Sequence, residues 1–376
     1  MQIYLDHSAT TQLQPQVKEY IIELLDNYYN PSSLYQGGIA TREIIEQARI
    51  NVAKFINCNY NNIIFTSSGS ASNSLAIKGI IKGNIKSIEF LPFYSPTAHK
   101  SMIKACESCP FSVPLSVNKY GQIDLEKLET SLKEVNILKP LVCIEAGNSE
   151  IGTINDIVSI SNIVHKYNGK LIVDATGYIS SCKVDMKMWE KVDVLTFSAH
   201  KLGALKGCGI LYKKPDIKLE PLVYGSQENG LFGGTEGVIN IASLGKAVEN
   251  YDYSSISSKN RDYIYEYIKQ NIPDSYLVGT PIGKNRLPHN LYICFKGVQG
   301  ESLMTILDMN GIQVSTGSAC NGNDIKPSSA LTAIGMNKND IHSCIRLSFS
   351  GNESKQELNY ACEKLRICVK QLRDFS

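Results

Sequence analysis

Apolar runs of strand length recur along the first half of the chain, each closed by small or polar residues. NIIFTSS (62–68), KPLVCIEAG (139–147), KLIVDATG (170–177), VDVLTFSAH (192–200) and GCGILYKK (207–214) are such runs. Between them, SNSLAIKGIIKG (72–83) and NDIVSISNIVHKYNG (155–169) read as helices, the second closing on Gly169. Continuous Val, Ile, Leu and Phe runs separated by helices predict strands covered on both faces. That is the pattern of a parallel sheet in a doubly wound α/β domain.

The pattern changes after residue 245. ASLGKAVENYDYSSISSKNRDYIYEYIKQNI (242–272) reads as one long helical stretch, bent or interrupted near its serines. RLPHNLYICFKG (286–297) and SCIRLSFSG (343–351) read as more polar strands, with GESLMTILDMNG (300–311) as a helix between them. The division predicted is a large α/β domain over 13–248, and a small α+β domain from 1–12 and 249–376 that carries a cysteine loop at 315–327.

Composition narrows the classes. The 376 residues are 43% hydrophobic and 20% charged, ordinary for a soluble globular protein. A net charge of +2 without a basic run argues against direct nucleic-acid binding or attachment to an anionic membrane. No apolar run is long enough to predict a transmembrane span. The opening MQIYLDHSATT lacks the basic and apolar regions of a signal peptide. Eleven cysteines, an odd number in no repeating frame, argue against a disulfide scaffold and for a reducing, cytoplasmic setting. Cys106 and Cys109 form a CxxC, but no second pair follows at zinc spacing, so they read as ordinary thiols and no metal is expected.

Ligands of open α/β sheets sit beyond the carboxyl ends of the strands. TSSGSASNS opens a helix with hydroxyls and free backbone N–H groups, which suits a phosphate but also serves as a plain helix cap. LIVDATG leaves one carboxylate, Asp174, at the end of an apolar strand, where it needs a protonated ring nitrogen, a metal or an arginine as partner. LTFSAHKLG brings Ser198, His200 and Lys201 to another strand end, and a desolvated lysine there can capture an aldehyde. Together they match what pyridoxal phosphate requires at its phosphate, ring nitrogen and aldehyde carbon. VSTGSACNGND (314–324) places Cys320 among small and polar loop residues, where a buried structural cysteine is not expected.

YLDHSATT, NPSSLYQGG, FTSSGSASNSLAIKG, NSEIGT, VDATG, SAHKLGALKGCG, QENGLFGGT, VSTGSAC and IRLSFSG follow one another in order. Together they resemble the pyridoxal-phosphate cysteine desulfurases of the class V aminotransferase group, over residues 4–354. The resemblance implies a fold type I homodimer that binds pyridoxal 5'-phosphate and converts L-cysteine to L-alanine. In it Lys201 would carry the cofactor, and His99 would stack on its ring and handle protons. Asp174 would pair with the ring nitrogen, and Asn148 would lie near the ring oxygen and the substrate. Gly69, Ser70, Ser198 and His200 would hold the phosphate, joined by Thr235 of the other subunit. Arg346 would clamp the substrate carboxylate. Cys320 would take the sulfur as a persulfide and pass it to an acceptor protein, on a loop whose length to Pro327 resembles the long-loop group I enzymes. A same-fold lyase for selenocysteine or another β-substituted amino acid, a weakly active cofactor-bearing scaffold, and a non-covalent phosphate-binding module are the alternatives. Three positions depart from the group's pattern: Ala71 replaces an acidic residue, Phe232 an arginine, and Gly177 a glutamine that would bond the ring oxygen. At 177 the expectation is that water or Asn148 takes over, and that Gly177→Gln changes the pH dependence of the cofactor spectrum and raises a slow turnover. The alternative is that Gly177 serves a tight backbone turn, where glutamine would clash.

Overall fold

The computed structural model describes residues 1–83, 89–135, 137–256, 258–316 and 328–374; Cys320 and most of the cysteine loop lie outside the described residues. In chain order the strands are β1 (Ile3–Tyr4), β2 (Ile63–Thr66), β3 (Phe90–Tyr94), β4 (Val113–Pro114), β5 (Lys139–Glu145), β6 (Lys170–Asp174), β7 (Val194–Ser198), β8 (Gly209–Lys213), β9 (Ser275–Leu277), β10 (Asn290–Phe295), β11 (Ile312–Gln313) and β12 (Cys344–Ser348). A seven-stranded sheet has the order β2-β8-β7-β6-β5-β3-β4.

Pairings from β4 through β3, β5 and β6 to β7 are parallel. The sheet is not parallel throughout, as the apolar runs had suggested, because β8 runs antiparallel to both β7 and β2. Residues 199–208 are too few for the crossover that a parallel neighbour needs, so the chain turns back beside β7. Alternate residues face opposite layers. Leu141, Cys143, Ile172 and Leu211 pack under the helices Gly69–Lys82 and Lys100–Glu107. Val142, Ile144, Val173 and Ile210 meet the helices Gln36–Phe55, Ile157–Lys166 and Val238–Glu249. This two-sided burial explains the largely apolar runs of β5 to β7.

Strands β9, β10 and β12 form an antiparallel sheet in the order β12-β10-β9, and β1 pairs in parallel with β11, Ile3 opposite Ile312. They form a second core with the helices Lys259–Asn271, Gly300–Met309 and Lys355–Asp374. The long helical stretch is two helices, Val238–Glu249 and Lys259–Asn271. Between them the Tyr251 and Tyr253 hydroxyls bond the carbonyls of Ser180 and Ile179, and their rings pack on Phe55. That inward turn cannot be made by a continuous helix. Among the described residues, no helix is long and apolar enough to cross a membrane.

The turns after β5 and β6 touch at Gly147 and Gly177. A Cβ on Gly177 would lie 2.4 Å from the Gly147 carbonyl oxygen and 3.1 Å from the Ser149 nitrogen. Backbone, not space for water, occupies the place where the glutamine side chain was expected to begin. The expectation of room for water or a glutamine side chain is therefore overturned, and the tight-turn alternative, in which glutamine clashes, is favoured. Gly177→Ala and Gly177→Gln should each lower unfolding free energy by about 1–3 kcal/mol, as overpacked sites do. Chemical denaturation is the check, and a glutamine variant as stable as the parent would refute the close approach.

Candidate active site

The parallel strands β5, β6 and β7 end together, and each ends on a polar residue. After β7, Ala199–Lys201 form a single 3-10 turn that swings Lys201 toward the N-terminal segment. There Nζ donates to the carbonyls of Ser8 and Ala9, the latter at 2.6 Å. Burial, with the Arg346 charge second, holds the amine down to about 7, while Asp6 and Asp174 oppose the shift. The His200 carbonyl accepts the Thr11 hydroxyl at 2.8 Å, and its ring Nδ1 lies 3.1 Å from the Thr10 hydroxyl. Burial, then Lys201 and Lys206, keeps that ring neutral by lowering its pKa to about 4.

Asp174 is the buried last residue of β6. Its Oδ1 accepts the Thr176 N–H and its Oδ2 accepts the Asn73 amide, both at 2.8 Å. Asn73 is itself buried, with Oδ1 accepting the Thr196 hydroxyl at 2.5 Å. Its amide also donates to Ser101 Oγ at 3.0 Å, and Ser101 Oγ lies 2.8 Å from Nδ1 of His99. His99, exposed, caps the helix Lys100–Glu107 by accepting the Ser101 N–H. Asn73, Ser101 and Thr196 escaped the sequence reading. The available sign was spacing: Asn73 stands four residues after Gly69 on the same helix face.

The start of the Gly69–Lys82 helix lies against the end of β7. Ser68 caps it by accepting the Ala71 N–H at 3.1 Å. A Cβ on Gly69 would meet Ser198 Cβ at 3.1 Å and Thr176 Oγ1 at 3.5 Å, so the glycine lets the helix terminus approach these residues. Ser70 is exposed and Ser198 buried. Thr235 is exposed on a segment anchored by Glu228, whose carboxylate accepts two Arg49 bonds and the Phe65 N–H, each at 2.8 Å. Glu228 and Asn229 have φ of 49° and 56°, a left-handed path that the bidentate pair holds. Phe232 packs against the apolar cluster under the Gly69–Lys82 helix. Nothing in the sequence had singled out Glu228 or Arg49.

Arg346, buried on β12, donates to Asp6 Oδ1 at 2.7 Å and to the Ser149 carbonyl at 3.1 Å, and its Nε has no partner. Asp6 was another residue not singled out from sequence. Asn148 is buried, with its amide nitrogen on Thr97 O (2.6 Å) and Glu145 Oε1 (3.3 Å). Its carbonyl oxygen accepts the Glu150 and Ile151 N–H groups, so it shapes its own loop. Glu145, at the end of β5, has its pKa raised by burial and accepts the Thr97 hydroxyl at 2.5 Å; its Oε2 has no partner. No group of three or more His, Cys, Asp or Glu among the described residues could hold a metal ion. Cys106 and Cys109 are both buried.

The chain matches the family model described as Aminotransferase class-V over residues 3–360. A curated relative from Dictyoglomus turgidum, named cysteine desulfurase IscS, is 35% identical across 100% of this chain and 96% of its own. A solved structure titled NifS-like protein superposes with a TM-score of 0.90 and 28% identity, covering 99% of this chain and 100% of that one. Another, titled SspA in complex with cysteine, has a TM-score of 0.80 and 26% identity, over 94% and 100% of the two chains. Full-length agreement in sequence, fold and element order leads to one conclusion: the chain belongs to the aminotransferase class-V family, alongside relatives named cysteine desulfurase.

Proposed function

We propose that this chain is a pyridoxal 5'-phosphate-dependent cysteine desulfurase. It converts L-cysteine to L-alanine and takes the sulfur onto Cys320 as a persulfide for an acceptor protein. The observation that carries the reading is Lys201: a strand-end amine held down to about 7, beside the buried carboxylate of Asp174. The site residues fit the cofactor. Gly69 lets the helix terminus close on Ser198 and Thr176, and Ser70, Ser198 and His200 would serve the phosphate beside that terminus. Asp174 would face a protonated ring nitrogen. When bound, pyridoxal phosphate would draw electron density from the substrate's Cα and so make its proton more acidic.

The chain's own groups supply the rest. Lys201, as free base, would take the proton from Cα, and His99 and Asn148 would border the ring and the substrate. The unpartnered Nε of Arg346 suits a substrate carboxylate, with Asp6 and Ser149 fixing the guanidinium. Sulfur leaves cysteine and joins the Cys320 thiol, so cysteine and thiol become alanine and persulfide with no added oxidant. The ten described cysteines are free and none is exposed, and burial raises the pKa of Cys58, Cys182, Cys208 and Cys362. That makes these four poor sulfur carriers and, with none of the ten exposed, supports Cys320 in the role. Free thiols also fit a cytoplasmic setting. The name of the Dictyoglomus turgidum relative favours cysteine over selenocysteine as substrate.

We read the working unit as a homodimer, with Thr235 serving the partner's phosphate site. Its exposure, and that of Leu25, Tyr28, Leu34 and Tyr35, fits a face that a second copy covers. The division into 13–248, and 1–12 with 249–376, is supported by their separate apolar cores.

Three outcomes test the reading. Below about 7 the Lys201 amine is protonated and cannot attack an aldehyde; above it the free base can. Uptake of pyridoxal phosphate by cofactor-free protein should accelerate through that pH and then level, with borohydride fixing the chromophore on the Lys201 peptide. An uptake rate still climbing near the pKa of an ordinary lysine would refute the assignment. Cys320→Ser should keep cofactor but lose cysteine-dependent alanine release, with no persulfide seen by mass spectrometry. Arg346→Lys, which keeps charge but loses the fork, should raise KM for cysteine by about 10–100-fold, the scale of a charged hydrogen bond. Cofactor affinity should stay unchanged, and an unchanged KM would remove Arg346 from carboxylate binding.

A further inference from the structure

Asn73 lies on the Gly69–Lys82 helix, buried between β6, β7 and the helix Lys100–Glu107, and its bonds leave one consistent direction for every proton. Asp174 Oδ2, a carboxylate oxygen that only accepts, lies 2.8 Å from one amide atom and so makes that atom the nitrogen, leaving Oδ1 to accept the Thr196 hydroxyl at 2.5 Å. The amide nitrogen then has two hydrogens and two acceptors: Asp174 Oδ2 at 2.8 Å and Ser101 Oγ at 3.0 Å. Because Ser101 Oγ accepts from Asn73, its own hydrogen is free for Nδ1 of His99, 2.8 Å away. That same Nδ1 accepts the Ser101 N–H at 3.2 Å. With two donors on Nδ1, the hydrogen of the neutral ring belongs on Nε2.

We propose that Asn73 is a positioning residue acting at both sides of the site: its amide orients the Asp174 carboxylate and, through Ser101, sets the His99 ring as the Nε2–H tautomer. His99 then presents a hydrogen-bond donor at Nε2, and its basic nitrogen is turned to the protein. Asp174 has one oxygen held by Asn73 and the other by the Thr176 N–H, so its plane is fixed from two directions. A buried helix residue between two layers thereby couples two groups whose roles rest on the function proposed above.

The test uses the full chain labelled with 15N-histidine, with and without added pyridoxal phosphate. Six histidines keep the spectrum simple, and His99 is assigned by its loss in His99→Gln. The parent should show His99 as a single tautomer protonated at Nε2. In Asn73→Ala the Ser101 hydroxyl loses its donor, and the His99 nitrogen signals should move toward the average of the two tautomers. Ser101→Ala should move them too, whereas Ser101→Thr, which keeps the hydroxyl, should restore the parent signal. Pyridoxal phosphate should bind about tenfold more weakly to Asn73→Ala, the effect of losing one bond to a charged group, and near normally to Ser101→Ala. His99 signals unmoved in Ser101→Ala, or a parent ring protonated at Nδ1, would overturn the proposal even if Asn73→Ala failed to fold. An unchanged dissociation constant in Asn73→Ala would overturn the Asp174 half. A parent protein that takes up no pyridoxal phosphate would instead defeat the proposed function, and the His99 result would stand apart from it.

Discussion

A buried amine must find acceptors or lose its charge, and much of this structure is arranged around how Lys201 meets that constraint. Its acceptors, the carbonyls of Ser8 and Ala9, come from the N-terminal segment and not from the sheet that carries the lysine. That segment is tied at both ends. Ile3 and Leu5 are buried in the core of the antiparallel sheet, and Ser8 N–H bonds the Ser348 hydroxyl. Thr11 and Gln14 hold the carbonyls of His200 and Leu202. One stretch of chain therefore spans both cores and supplies the polar environment of the amine. Asp6, on the same stretch, holds Arg346 and offsets part of the positive potential at Lys201.

The charge pattern around the strand ends is economical. His200 and His289, held down to about 4 and about 3 by burial and neighbouring cations, add no positive charge beside Lys201. Glu145, pushed up by burial, is disfavoured as an anion next to Asp174, its register partner across β5 and β6. The neighbouring strand ends thus carry carboxyls with different environments: one paired through Asn73 and Thr176, one desolvated among Thr97 and Asn148. Burial raises the pKa of Glu145, while Asp174 keeps both oxygens hydrogen-bonded.

Strand-to-helix alternation made the large α/β layer legible, because β5, β6 and β7 are buried on both faces and mostly apolar, with Thr196 in the middle of β7. The antiparallel course of β8 was not legible, since an apolar run has no direction; only the short connection from Ser198 to Gly209 hinted at it. Lys201, Asp174 and Ser198 could be found because polar groups ending apolar strands stand out. Thr196, Asp6 and Glu228 could not, because their partners lie far away in sequence and each looks like an ordinary strand or loop residue; Asn73 left only the sign of its spacing from Gly69. Gly177 illustrates the reverse error: what looked like a missing donor is a contact between two turns, visible only once Gly147 is beside it.

The grip of Arg49 on Glu228 has a consequence for assembly. Glu228 and Asn229 occupy a backbone region that non-glycine residues seldom adopt, and they do so within a single chain, held by a two-bond ion pair and an edge N–H of β2. The path leading to Thr235 is thus set during folding, before any other molecule arrives. A surface that is already rigid loses little conformational freedom on contact, so whatever docks against this segment meets a lowered entropic barrier and a template whose shape does not depend on the encounter.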